Sequence, residues 1–226
     1  MKKILIIITS HADMLNTNTK TGVWLGEFTE PYYKFLDAGH EVTLASLAGG
    51  RPPIDETSQL TENITGANRR FNDDEAAQLA FCNTLKLTEI NAADYDAVFF
   101  PGGHGPMFDL ADDDATGKII LEFYKNNKPI STVCHGPAAL IAATKHQPNF
   151  LKDKKISCFS NAEEALVFKK DNVPYLLEDR MKKLGAEIDN SVIPFAPHSV
   201  QDGNLITGQN PLSSGKVADA LLEALK

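Results

Sequence analysis

From Ile4 to Thr9 the chain runs through five consecutive apolar residues with no polar alternation, the pattern of a strand buried on both faces. A helical pattern follows from Gly22 to Ala38 and stops at Gly39, a residue suited to the left-handed conformation of a helix C-cap. His40 to Ala45 predicts a second strand, and residues 49–71, rich in Gly, Pro, Thr and Asn, read as a long irregular connection. Connections of that size usually cap a site or mediate contacts. Asp73 to Leu85 predicts a helix. Asp96 to Phe100 is a strand running into Pro101-Gly102-Gly103-His104-Gly105-Pro106, and Ala115 to Asn126 is a helix. Pro129 to Val133 is a strand that leads directly into Cys134-His135-Gly136-Pro137 and a small-residue helix, Ala138 to Ala143. Further strands are expected near Ile156–Phe159, Ser191–Phe195 and Asn204–Thr207, with a helix before Gly185 and a closing helix over Ser213–Leu225. Repeated strand–helix–strand units predict an α/β architecture, a mostly parallel sheet with helices on both faces. No linker, internal repeat or second core interrupts residues 1–226, so a single domain is expected.

Composition narrows the function classes. An apolar share of 42% and a charged share of 23% fit a globular chain and not a disordered one. The net charge of -8 argues against a nucleic-acid binder, which needs clustered Lys and Arg. Met1-Lys2-Lys3 before the first apolar run resembles a secretory signal, but the run ends early at Thr9-Ser10-His11 without a cleavage site, so a buried strand is the better reading. No stretch has the length to span a membrane. Three cysteines, Cys82, Cys134 and Cys158, in no framework spacing point to a reducing, cytoplasmic compartment.

Chemistry is expected where parallel strands end, because ligands bind outside the carboxyl edge of such sheets. Two strands end in unusual residues there. Cys134 sits where a strand turns sharply into a helix, the placement of an exposed nucleophile in an elbow. The helix N–H groups behind it are expected to favour thiolate. Cys82 and Cys158 lack that context and read as small hydrophobes. Gly102 and Gly103 let backbone N–H groups approach a ligand as an oxyanion hole, or simply make a tight turn. No G-x-G-x-x-G or P-loop is present. His11, His40 and His146 show no ligand spacing, so neither cofactor nor metal is expected. Trp24, Tyr32 and Tyr33 read mainly as packing residues.

The order strand, Pro-Gly-Gly-His-Gly, helix, strand, Val-Cys-His-Gly-Pro resembles the ThiJ/PfpI superfamily, which includes the class I glutamine amidotransferase-like domains. Within it, Thr21-Gly22-Val23-Trp24-Leu25-Gly26-Glu27 and Thr207-Gly208-Gln209-Asn210-Pro211 resemble the glutathione-independent glyoxalase branch, also known as heat-shock-protein-31-like chaperones. The resemblance implies a flavodoxin-like three-layer sandwich with a nucleophile elbow. It places Glu27 against the Cys134 sulfur, His135 as orienting or triad residue, and Glu164 as the acid partner of His135, with Glu163 the neighbouring alternative. It further implies a small 2-oxoaldehyde substrate such as methylglyoxal, a homodimer, and contact with unfolded client proteins. Two rivals remain at this point. One is a cysteine hydrolase using Cys134, His135 and Glu164, although His198 is followed by Ser199 and Val200 where an amidotransferase has His-x-Glu, and Thr132 replaces a glycine before the nucleophile. The other is a holdase or oxidation sensor with little catalysis.

Overall fold

The computed structural model describes residues 1–226. The elements are β1 (Lys3–Ile8), α1 (Leu25–Asp37), β2 (Glu41–Ser46), α2 (Gly66–Asp73), α3 (Glu75–Cys82), β3 (Leu85–Lys86) and β4 (Ala97–Phe100). They continue with α4 (Asp114–Lys125), β5 (Ile130–Val133), α5 (Ala139–Ala143), β6 (Lys155–Ile156), α6 (Asn161–Leu166) and α7 (Leu177–Lys183). The chain closes with β7 (Glu187–Ile188), β8 (Ser199–Asp202), β9 (Leu205–Gly208) and α8 (Ser214–Ala224). Seven strands form one sheet in the order β3-β2-β1-β4-β5-β9-β8, parallel throughout except for the antiparallel β8–β9 pair. This is a flavodoxin-like three-layer sandwich.

The apolar run of β1 explains the layering. Side chains alternate across a pleated sheet, so Leu5 and Ile7 enter one core while Ile4, Ile6 and Ile8 enter the other. The first core packs against α4, α5 and α7 through residues such as Ile120, Leu140 and Met181. The second packs against α1, α3 and α8 through Phe28, Phe35, Phe81 and Leu221. Each fully buried aliphatic or aromatic side chain contributes about 1.5–3 kcal/mol, and all five apolar residues of β1 are wholly buried. Strand order reverses between β1 and β4, and the crevice at that switch lies beside the carboxyl ends of β4 and β5.

Several expected elements differ. The strand expected at Ser191–Phe195 does not form. Pro194 lacks an N–H, and Val192 and Ile193 stay exposed; the sheet takes Ser199–Asp202 instead, as an antiparallel edge. The strand expected at Ile156–Phe159 shrinks to β6 and pairs only with β7, outside the main sheet. The first helix starts at Leu25, not Gly22, because Val23 bridges to Ile54. Residues 49–71 contain 3-10 turns and the start of α2, which Thr65 caps by accepting from the Asn68 N–H. The helix α6 was not expected, although Ser160 and Glu163 form a capping box that its spacing announces.

Candidate active site

Cys134 follows β5 with φ of 60°, a left-handed conformation that costs a non-glycine residue about 1–2 kcal/mol. Its backbone is pinned from both sides: its N–H donates to Gly208 O and its carbonyl accepts from Phe159 N, each at 2.9 Å. The strain is therefore held by strand β9 and the segment after β6. That conformation turns the sulfur out of the strand toward a cavity of about 110 Å³, walled also by Gly103, His104 and His135.

His135 touches the sulfur directly. Its Nδ1 lies 3.3 Å from the Cys134 sulfur, and its Nε2 lies 2.7 Å from Glu164 Oε2. Of the two adjacent acids, Glu164 is the one against His135. Glu163 turns the other way: it accepts from the Ser160 N–H and hydroxyl, the Phe195 N–H and the Asn210 amide. Burial pushes the His135 pKa down, so at neutral pH the ring is a neutral base. Two imidazoles beside it hold Glu164 well below the usual carboxylate range despite its burial.

Glu27, in the first turn of α1, is wholly buried beside the sulfur. Its Oε2 accepts from the Gly102 N–H at 2.8 Å, while Oε1 has no conventional hydrogen-bond partner. Burial raises its pKa to about 8, so at neutral pH it keeps a proton and can offer it to the sulfur or to a group bound there. Cys134 is likewise pushed up, first by burial and then by the neighbouring carboxyl. The expectation of a thiolate favoured by the following helix is therefore corrected. A short 3-10 turn and the five-residue α5 stand behind the sulfur, and desolvation outweighs them. Burial therefore favours the thiol over the thiolate, and the His135 Nδ1 is the nearest group that could take its proton.

The two glycines have different duties. The Gly102 N–H is taken by Glu27 and is not free for a substrate oxygen, which corrects its expected role as an oxyanion donor. Gly103, at φ of 84°, directs its N–H toward the sulfur, and the His135 N–H has no acceptor within the protein. Those two are the donors available to a developing oxyanion. A methyl group on Gly102 would sit 2.7 Å from Glu27 Oε2 and from the Val133 carbonyl. Gly102→Ala is accordingly expected to displace the Glu27 carboxyl, reduce turnover by about 10²-fold and destabilise the fold by roughly 1–3 kcal/mol. Turnover and thermal melting measured on the same preparation check it.

His104 was absent from the sequence-derived candidates. Its Nε2 lies 2.8 Å from Glu164 Oε1, and its ring lies against that of His135, tilted by 39° with centroids 4.1 Å apart. Its place beside Gly103, at the carboxyl end of β4, was the available signal. His104, His135 and Glu164 also have ligand atoms within 4.8 Å of one another. Two short imidazole–carboxylate hydrogen bonds account for that spacing, and a cation would have to displace both. The irregular segment 49–71 supplies Asp55 and Thr57 to the cavity, and Trp24 lines it too. His198, the late histidine, pairs with Asp189 at 3.0 Å and is not part of the cavity wall. No helix is long and apolar enough to cross a membrane.

A parallel-sheet sandwich with a cysteine at a strand-to-helix elbow, a histidine–carboxylate pair beside it and a buried glutamic acid defines a class of α/β proteins. The chain belongs to the DJ-1/PfpI family, whose sequence model matches residues 18–224. It is 32% identical to the glutathione-independent glyoxalase HSP31 of Saccharomyces cerevisiae, covering all of this chain and 98% of that protein. The structure of Rapid Encystment Protein 24 kDa from Francisella tularensis superposes with a TM-score of 0.94 at 36% identity, covering both chains fully. That of glyoxalase III from Candida albicans superposes with a TM-score of 0.89 at 29% identity, over 100% of this chain and 98% of that one.

Proposed function

We propose that the protein is a glutathione-independent glyoxalase, converting methylglyoxal or a similar 2-oxoaldehyde to the 2-hydroxy acid. The observation that carries this reading is Glu27: a protonated carboxyl buried beside the nucleophile, in addition to a complete Cys134–His135–Glu164 relay. Simple hydrolysis does not need that extra group. An aldehyde-to-acid isomerisation does, because a proton must leave one carbon and arrive on the next.

The chemistry follows from the proton inventory. The Cys134 thiol gives its proton to His135 while sulfur bonds to the aldehyde carbon, and Glu27 protonates the new oxyanion. The product is a hemithioacetal. Glu27, now a carboxylate, removes the hydrogen on that carbon as imidazolium His135 protonates the ketone oxygen, giving an enediol. Glu27 then returns a proton to the second carbon and His135 takes the hydroxyl proton from the first. The first carbon has been oxidised to a thioester and the second reduced to a carbinol, so no external oxidant is required. Water releases the acid. Gly103 and His135 N–H groups stabilise the oxyanions at each end.

Purified protein incubated with methylglyoxal and no glutathione is expected to produce lactate; absence of lactate removes the reading. A plain cysteine hydrolase is supported by the relay itself, and a panel of ester and peptide substrates tests it. A readily oxidised sensor thiol is disfavoured by burial, since Cys134 is only 3% exposed and its pKa is raised. The homodimer and client contacts implied by the resemblance find their physical support in exposed Phe168, Val192, Ile193 and Leu212.

A further inference from the structure

Glu164 serves two imidazoles, one on each oxygen: Oε2 faces His135 Nε2 at 2.7 Å and Oε1 faces His104 Nε2 at 2.8 Å. An ionised carboxylate only accepts hydrogen bonds, so it fixes both rings with the proton on Nε2. Each ring is left with a basic Nδ1. That of His135 points at the Cys134 sulfur. That of His104 has no partner within the protein, and His104 lines the same cavity. The His104 side chain is 12% exposed against 1% for His135, so it is the one of the pair that water can approach.

The glyoxalase chemistry has a step that such a base can serve. When the thioester has formed, His135 holds the hydroxyl proton and is a cation, and Glu27 has just given its proton away. The proton on His135 is needed by the departing sulfur. A second imidazole stands beside it, its ring centroid 4.1 Å away, with a free Nδ1 and the greater access to water of the two. We propose that His104 is the general base of the hydrolytic half-reaction, its Nδ1 taking a proton from the water that opens the Cys134 thioester. The water oxygen bonds to the carbonyl carbon, the carbon–sulfur bond breaks, and sulfur recovers its proton from His135. The acid's proton returns to Glu27, and His104 releases its own to solvent. The sum is one 2-oxoaldehyde plus one water giving one 2-hydroxy carboxylate and one proton. This role rests on the glyoxalase reading and adds to it a division of labour: His135 serves the sulfur, His104 the water.

The test is His104→Gln, whose amide can still donate to Glu164 but offers no base, with His104→Asn as a second variant. In methylglyoxal the expected result is a fall in kcat of about 10²-fold or more, a parallel fall in KM, and accumulation of one lactoyl group on Cys134 by intact-mass spectrometry. Hydroxylamine, a nucleophile that needs no base, is expected to restore turnover as the hydroxamate. The rate of Cys134 alkylation by iodoacetamide should match wild type, showing that the Glu164–His135–Cys134 relay is assembled. Unchanged turnover overturns the proposal. So does lost turnover with no adduct and altered alkylation, which would make His104 a positioning residue acting through Glu164. Wild type that makes no lactate would instead remove the glyoxalase reading itself, so the two failures are told apart.

Discussion

Cys134→Ala is expected to lower lactate formation from methylglyoxal by roughly 10⁴-fold or more while leaving the fold intact. Removing a nucleophile eliminates the covalent path and leaves only binding and oxyanion stabilisation, as losses of that order in other nucleophile deletions show. Folding should tolerate the change. The side chain lost is small, and the backbone at φ of 60° is held by its hydrogen bonds to Gly208 and Phe159, which alanine retains. Steady-state assays combined with a urea titration give both numbers. An alanine variant that consumes methylglyoxal at the parent rate would rule out every step written through the sulfur.

Glu27→Gln is expected to do two opposite things: abolish most of the isomerisation and stabilise the protein. Loss of a group that moves protons at two stages should cost about 10³-fold or more in kcat. The stability effect follows from linkage. The pKa of Glu27 is raised from 4.5 to about 8 by burial, so the folded chain binds more protons than the unfolded chain between those values. Stability must then fall as pH rises through that window, and level off above about pH 8. Glutamine keeps the acceptor for the Gly102 N–H and has nothing to ionise. The variant's advantage should be near zero at pH 4.5 and grow to on the order of 3–5 kcal/mol by pH 8. Urea midpoints across pH 5–8 read it directly; parallel curves for the two proteins would contradict the assignment of a protonated Glu27. The same group is expected to set an alkaline limb near pH 8 in the wild-type rate profile, since the proton it would offer to the new oxyanion is gone above it.

The sheet was legible because its strands are buried on both faces and written as apolar runs, as β1 and β4 show. The elbow was legible for a local reason: a strand, a cysteine and a Gly-Pro pair are consecutive in sequence. Glu27 and Glu164 are not local to Cys134, and no spacing rule brings them there; only the family resemblance assigned them a place near it. The edge of the sheet misled because Val192 and Ile193 look like a strand and are surface residues. The state of the sulfur misled as well. Helix N-terminal N–H groups can be read from sequence, whereas the depth of burial that outweighs them arises from long-range packing. His104 escaped because its partner is Glu164, whose second oxygen it occupies, and that pairing is not local in sequence. A histidine beside a glycine turn carries no sign of the carboxylate 60 residues later that gives it a defined tautomer.

Neighbouring acids on one helical turn have opposite fates, and the inert one governs the active one. Glu163 collects the cap of α6, the Phe195 N–H and the Asn210 side chain, and Asn210 in turn reaches the Ala196 carbonyl. The stretch around Phe195, which belongs to no helix or strand, is thus moored to the same turn that aims Glu164 at the two imidazoles. Loosening that mooring would register far from the surface, as a less basic ring beside the Cys134 sulfur.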